Sequence, residues 1–214
     1  MKVLCACEES QAVTTELRKL GVEAYSCDIL PTSGEHPEWH LQQDVLPLLK
    51  EPWDMIIGFP PCTYLTITGN RWFNVERYGE KAIKRYQDRE KAVELFLAIA
   101  NANAPYIAIE NPVGIMSTRW RTPDQIIHPY YFGDAYEKKT CLWLKGLPPL
   151  KKTQVVEVPE RVKLPNGKSM ARWYWEIGNM PIKIRGYLRS KTFPGIARAM
   201  AQQWTEFILK ENKE

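Results

Sequence analysis

Short apolar runs at residues 2–6, 23–27, 53–59 and 106–109 alternate with stretches of helical periodicity, and this alternation constrains the fold more than any other feature of the chain. Residues 11–20 place Val13, Leu17 and Leu20 on one face and stop at Gly21; residues 80–102 do the same with Val93, Phe96, Leu97 and Ala100. A last helix is expected from Thr192-Phe193-Pro194, with Ile196, Met200, Trp204, Phe207 and Ile208 along one side. Strands that alternate with helices predict an α/β, Rossmann-like fold, a mainly parallel sheet with helices on both faces. Such sheets bind ligands beyond the carboxyl ends of their strands, and Asp28, Cys62 and Glu110 each fall just past a predicted strand. Pro60-Pro61 forbids a helix after the third run, so Cys62 is expected on a loop at the strand end.

A chain of 214 residues supports one core with one elaboration. Residues 1–114 together with 190–214 are expected to form the main domain, and 115–189 a small, irregular, basic region with strand-like pieces at 141–144 and 154–158. Charge divides along the same boundary. Residues 1–114 hold 11 Lys+Arg against 16 Asp+Glu (−5), whereas residues 115–195 hold 15 against 6 (+9). Cations interleaved with Trp120, Trp143, Trp173, Tyr174 and Trp175 suit a nucleic-acid-facing surface, the cations for phosphates and the rings for bases. The plainer alternative is a solvated region whose aromatics belong to the core. No window approaches the ~18 apolar residues of a membrane span, and the first apolar run is too short for a signal-peptide core, so a cytoplasmic protein is expected. Five scattered cysteines fit reduced thiols; the lone Cys5-x-Cys7 pair and the spacing of His36, His40 and His128 predict no metal site.

A cysteine on a turn, among backbone amides and near cations, is expected to be thiolate-like, and a glutamate at a strand end can be fixed by the Asn111 beside it. Taken alone, such a cysteine is more often a buried thiol, and a Glu-Asn-Pro is more often a turn. Together, Gly58-Phe59-Pro60-Pro61-Cys62-Thr63 and Ile109-Glu110-Asn111-Pro112 resemble the Pro-Cys nucleophile loop and the Glu-Asn step of the DNA cytosine-C5 methyltransferases, in the same order and after the same kind of strand. The resemblance covers most of the first 114 residues and returns at residues 190–197. Tyr131-Phe132-Gly133 and Thr140-Cys141-Leu142-Trp143-Leu144 resemble stretches of the short phage and prophage members.

The resemblance implies that Cys62 attacks C6 of cytosine, that Glu110 contacts N3 and the exocyclic amine, and that S-adenosylmethionine gives the methyl group. It implies a cofactor set of Cys7, Glu8, Ser10, Asp28, Asp44, Phe59 and Pro60, with Asp28 on a ribose hydroxyl and Asp44 at the adenine end. Lys138 or Lys139 would touch the cytosine carbonyl or steady the sulfur. Two departures stand out. Cys5-Ala6-Cys7-Glu8-Glu9-Ser10-Gln11 has no glycine where the family has a Phe-x-Gly-x-Gly loop, which leaves two expectations: Glu8 and Ser10 side chains replace the backbone contacts, or the donor is altered or absent. The 115–189 stretch is also small for a target-recognition domain. Three readings remain: methylation of cytosine in DNA, C5 modification of a cytosine mononucleotide or modified base, and a non-catalytic DNA-binding protein.

Overall fold

The computed structural model describes residues 1–212, with side chains for all of these except Ile182 and Lys183. In chain order the elements are β1 (Lys2–Ala6), α1 (Ala12–Lys19), β2 (Glu23–Asp28), β3 (His40–Gln42), α2 (Val45–Leu48), β4 (Met55–Gly58), α3 (Val75–Tyr78), α4 (Glu80–Ala100), β5 (Tyr106–Pro112), α5 (Met116–Arg119), β6 (Gln125–Ile127), β7 (Thr140–Lys145), β8 (Val162–Lys163), β9 (Ser169–Met170), α6 (Arg172–Gly178), α7 (Ile182–Ser190) and α8 (Pro194–Glu211). Seven strands form one sheet in the order β3-β2-β1-β4-β5-β7-β6. The first five are parallel, β7 runs against both β5 and β6, and β6 therefore shares the direction of β5.

Helices cover both faces, which is why the strands read as nearly continuous apolar runs. Val3, Cys5, Met55, Ile57, Ala108 and Leu142 pack with Val13 and Leu17 of α1 and with Ile196, Met200, Trp204 and Ile208 of α8. Their alternates Leu4, Ala6, Ile56, Ile107, Ile109 and Trp143 pack with Phe96 and Ile99 of α4 and with Val45 and Leu48 around α2. Trp204 is fully buried and its indole N–H donates to Pro148 O at 3.0 Å. Against alanine, a buried ring of that size is worth about 3–5 kcal/mol.

The 115–189 stretch is not a separate region. Its first half supplies β6 and β7 to the sheet, and Trp143 is a core residue, edge-on to Phe96 at 5.2 Å between centroids. Of the aromatics counted toward a nucleic-acid surface, Trp143 belongs to the core while Trp175 stays 44% exposed. Residues 154–158 are not a strand: one bridge joins Gln154 to Phe132, and Val155 projects to solvent because no second strand lies alongside. The three-residue strands β3 and β6 escape sequence reading because they are too short to show a period.

Strand order turns in opposite directions from β1 and β4, so the crevice of this fold opens where their carboxyl ends diverge. Gly58 at the end of β4 is level with Ala6 of β1 and Ile109 of β5. Cys62 and Glu110 therefore leave the sheet at one edge.

Candidate active site

The Cys62 loop is held from three sides. Its backbone leaves the sheet through a last ladder bond, Phe59 N–H to Ala6 O at 2.8 Å. A β-carbon added at Gly58 would lie 2.7 Å from Ile99 Cγ2, so α4 packs directly over the strand end. The buried Asn111 side chain then reaches across and donates Nδ2–H to Pro60 O at 2.7 Å, joining the cysteine loop to the strand end that carries Glu110. Beyond the cysteine, Leu65 and Thr66 N–H both donate to Cys62 O at 3.0 Å. Residues 65–67 lie against residues 113–115, Ile115 N–H donating to Leu65 O at 2.9 Å, and a β-carbon at Gly114 would come within 2.3 Å of that same oxygen. From α4, Arg85 Nη2 donates to Thr63 O and Arg89 Nε to Tyr64 O, each at 2.9 Å.

Opposite this loop stand the half-buried Glu110 and the buried Lys138. Lys138 Nζ donates to Arg189 O at 3.0 Å and lies 5.6 Å from the Phe193 ring centroid. Arg189, at the end of α7, stacks its guanidinium 5.2 Å above the Tyr174 ring of α6. Burial pushes the Cys62 thiol up and the Glu110 carboxylate pushes it further, against the opposing charges of Lys138 and Arg189. The thiolate-like cysteine expected from sequence is therefore corrected: in this form Cys62 is a neutral thiol, because desolvation outweighs the cations. Burial also raises Glu110, with Lys138 opposing it, and favours the protonated carboxyl, a proton donor facing a sulfur. The same carboxylate and burial push Cys141, on β7, up to about 11. Of the two candidate lysines only Lys138 turns inward; Lys139 is exposed.

At the neighbouring strand ends the chain solves the missing glycine in its own way. Cys7 has φ +60° and Gln11 φ +56°, left-handed conformations that cost an L-residue about 1–2 kcal/mol each. Glu8 is buried and its carboxylate accepts Val13 N–H at 2.6 Å, Thr14 Oγ1–H at 2.6 Å and Thr14 N–H at 3.2 Å. It caps α1 from within, so the expectation that Glu8 takes over cofactor contacts gives way to a structural role. Gln11, missed in the sequence, donates Nε2–H to His36 O at 2.7 Å and accepts His36 N–H at 3.2 Å; Thr32 Oγ1–H donates to Glu9 O at 2.7 Å. These bonds stitch residues 32–36 onto residues 9–11. Ser10 and Gln11 border a cleft of about 280 Å³ that continues to His36 and to Pro194 and Ala197 of α8. Asp28 and Asp44 accept Leu30 and Leu46 N–H, each at 2.9 Å. Both acids lie close enough to Cys7 that, after burial itself, they and Cys27 push its thiol up to about 12.

Arg85, Arg89 and Arg189 escaped sequence reading, and Tyr174 stood there only among the aromatics of a nucleic-acid-facing surface. The two arginines lie on α4, outside both motifs, and α7 reaches Lys138 only through the tertiary fold.

The strand order, with β7 alone reversed, defines a Rossmann-like α/β fold. No family model and no curated protein matches the chain. Among solved structures it is similar to a candidate DNA modification methyltransferase encoded within a prophage (E. coli), at 14% identity and a TM-score of 0.44, over 74% of this chain and 52% of that one. The chain thus spans about half the length of that protein. Among the described residues, no helix is long and apolar enough to cross a membrane, and no group of three or more His, Cys, Asp or Glu is placed to hold a metal ion.

Proposed function

We propose that the protein methylates cytosine at C5, using Cys62 as a covalent nucleophile and S-adenosylmethionine as donor, with DNA as the substrate. The observation that carries this reading is the Asn111–Pro60 hydrogen bond, which locks a cysteine loop and a glutamate-bearing strand end into one edge beside a buried lysine.

In this reading the sulfur, once deprotonated, bonds to C6 and Glu110 gives its proton to N3. The negative charge of addition then rests on the Glu110 carboxylate beside Lys138 rather than on the ring, and C5 becomes the nucleophilic carbon. Loss of the C5 proton to a base, departure of the sulfur as thiolate and return of the N3 proton to the Glu110 carboxylate restore the aromatic ring. A carboxyl raised by burial suits such a donor, since desolvation favours its protonated form.

The residues at the ends of β1, β2 and β3 fit the nucleoside part of the donor. The left-handed backbone at Cys7 gives the turn that a glycine would otherwise supply, and Asp28 and Asp44 offer acceptors for hydroxyl and amino groups. Phe59 and Pro60 border the same edge, and Ser10 lies by the cleft next to α8. When bound, S-adenosylmethionine supplies the methyl group. The excess of cations over residues 115–195 suits phosphate contacts, although part of that stretch builds the sheet.

The test is trapping with S-adenosylmethionine and DNA containing 5-fluorocytosine, with 5-fluoro-dCMP in a parallel arm. The expected result is a denaturant-stable DNA adduct on the Cys62 peptide that Cys62→Ser abolishes. Adduct with the nucleotide alone would move the substrate to a monomer; DNA binding with no adduct in either arm would leave the non-catalytic reading.

A further inference from the structure

We propose that the segment following the cysteine loop is a platform for single-stranded DNA, on which the Trp72 and Tyr78 rings stack unpaired bases while Arg71 and Arg77 hold the flanking phosphates. The proposal rests on the reading of DNA as substrate and deepens it. It assigns the strand state, and it adds a contact surface outside residues 115–195, where the charge of the sequence alone puts one.

The segment has a fixed inner face and an open outer one. Residues Ile67–Phe73 form a 3₁₀ helix that leads into α3. Phe73 is its anchor: the ring is buried, meets Tyr86 of α4 edge-on at 4.9 Å between centroids, and has the Arg89 guanidinium 3.3 Å from its centroid. Arg89 also donates Nη2–H to Asn70 Oδ1 at 2.9 Å. With the bonds from Arg85 to Thr63 O and from Arg89 to Tyr64 O, α4 therefore holds the backbone from the cysteine loop through to Phe73. Trp72, next to the anchor, is 43% exposed, with Tyr78 of α3 5.1 Å away between centroids and inclined at 46°. Arg71 lies 4.7 Å from the Trp72 ring centroid and Arg77 5.4 Å from that of Tyr78. Ile67, Val75 and Ile83 are exposed along the same segment.

Charge selects the partner. Residues 63–91 hold 7 Lys+Arg against 4 Asp+Glu (+3), whereas residues 1–62 hold 4 against 10 (−6). Among the described residues, neither Arg71 nor Arg77 has an acidic partner. Both are exposed, so each can give up its ring to a base and turn to the adjoining phosphate. Cations beside exposed rings are the combination that holds single-stranded nucleic acid. A duplex offers phosphates but keeps its base faces covered by their own stacking, so it can use the arginines and not the rings. An apolar protein surface would use the rings and not the arginines.

The experiment is fluorescence anisotropy of a labelled mixed-sequence DNA of about 20 nucleotides, longer than one binding site, single-stranded or annealed to its complement and titrated with the full chain. The single strand is expected to bind about tenfold tighter than the duplex. Trp72→Ala should weaken single-strand binding by about tenfold, the loss of one base stack, and duplex binding by less than about twofold. Trp72→Phe, which keeps a ring, should stay within about threefold of wild type. Arg71→Gln should lower the slope of log affinity against log salt by about 0.7, one phosphate contact on a single strand. Circular dichroism establishes that each variant is folded. Equal affinity for the two DNA forms, equal losses for both in Trp72→Ala, or no loss at all would overturn the proposal. So would self-association in analytical ultracentrifugation that Trp72→Ala abolishes, which would assign the patch to a second copy of the chain. The readout needs neither Cys62 nor a methyl donor. Single-strand binding of this kind with no adduct on Cys62 would sink the methylation reading alone; adduct formation undiminished in Trp72→Ala would sink only the platform.

Discussion

Replacing Asn111 by alanine tests the contact on which the site depends. The substitution removes the donor that satisfies Pro60 O at 2.7 Å and leaves a buried carbonyl without a partner. An unsatisfied buried acceptor costs about 1–3 kcal/mol. Part of that is returned, because Asn111 Oδ1 is itself buried and unpaired and disappears with the side chain. The net loss expected is about 1–2 kcal/mol. For a domain of this size each kcal/mol lowers Tm by about 2–4 °C, which gives a fall of about 2–8 °C in thermal unfolding followed by circular dichroism. The functional loss should exceed the stability loss. With Pro60 released, Cys62 and Glu110 are no longer fixed to one another, and misplacement by about 1 Å costs on the order of a hundredfold in rate. Trapping on 5-fluorocytosine DNA should therefore slow by tenfold or more at a temperature where the variant is fully folded. Asn111→Asp should be worse on both counts, since a carboxylate oxygen would then face a carbonyl oxygen. The reasoning is refuted if Asn111→Ala melts within 1 °C of wild type and traps at a rate within twofold of it.

Two further outcomes follow from backbone and charge. Cys7→Gly should raise stability by up to about 1 kcal/mol in urea unfolding, because glycine adopts φ +60° without the steric cost a side chain incurs. Gln11→Gly, at φ +56°, should instead destabilise, since the bonds of its side chain to His36 are lost; stabilisation by both would show that conformation alone decides this loop. Glu110→Gln should flatten the dependence of stability on pH. Burial raises the native carboxyl above its unfolded value of about 4.3, so between those two values the native state binds more protons and stability falls as pH rises. Glutamine cannot titrate, so melting curves from pH 5 to 8 should show a shallower decline in the variant; parallel declines would mean that Glu110 is not perturbed.

Much of the architecture was legible because it rests on local signals. The β1, β2, β4 and β5 runs, the stripes of α1, α4 and α8, and the Pro60-Pro61 turn are written in hydrophobic period and in the geometry of proline. So was the placement of Cys62 and Glu110 at one edge, since parallel strands joined by helices bring their carboxyl ends together. Three things were decided only by tertiary structure. Ionisation was one: Cys62 looked activated by its loop, but burial and the facing Glu110 raise its thiol, and desolvation has no signature in a linear sequence. The fate of Glu8 was another, for nothing near it in the chain shows that its carboxylate turns back onto the first turn of α1. The last was the path of the basic segment. Residues scored as a single charged block divide between β6, β7 and Trp143 in the core and α7 against the buried Lys138, because long-range packing sorts side chains by what they meet, not by their neighbours in sequence.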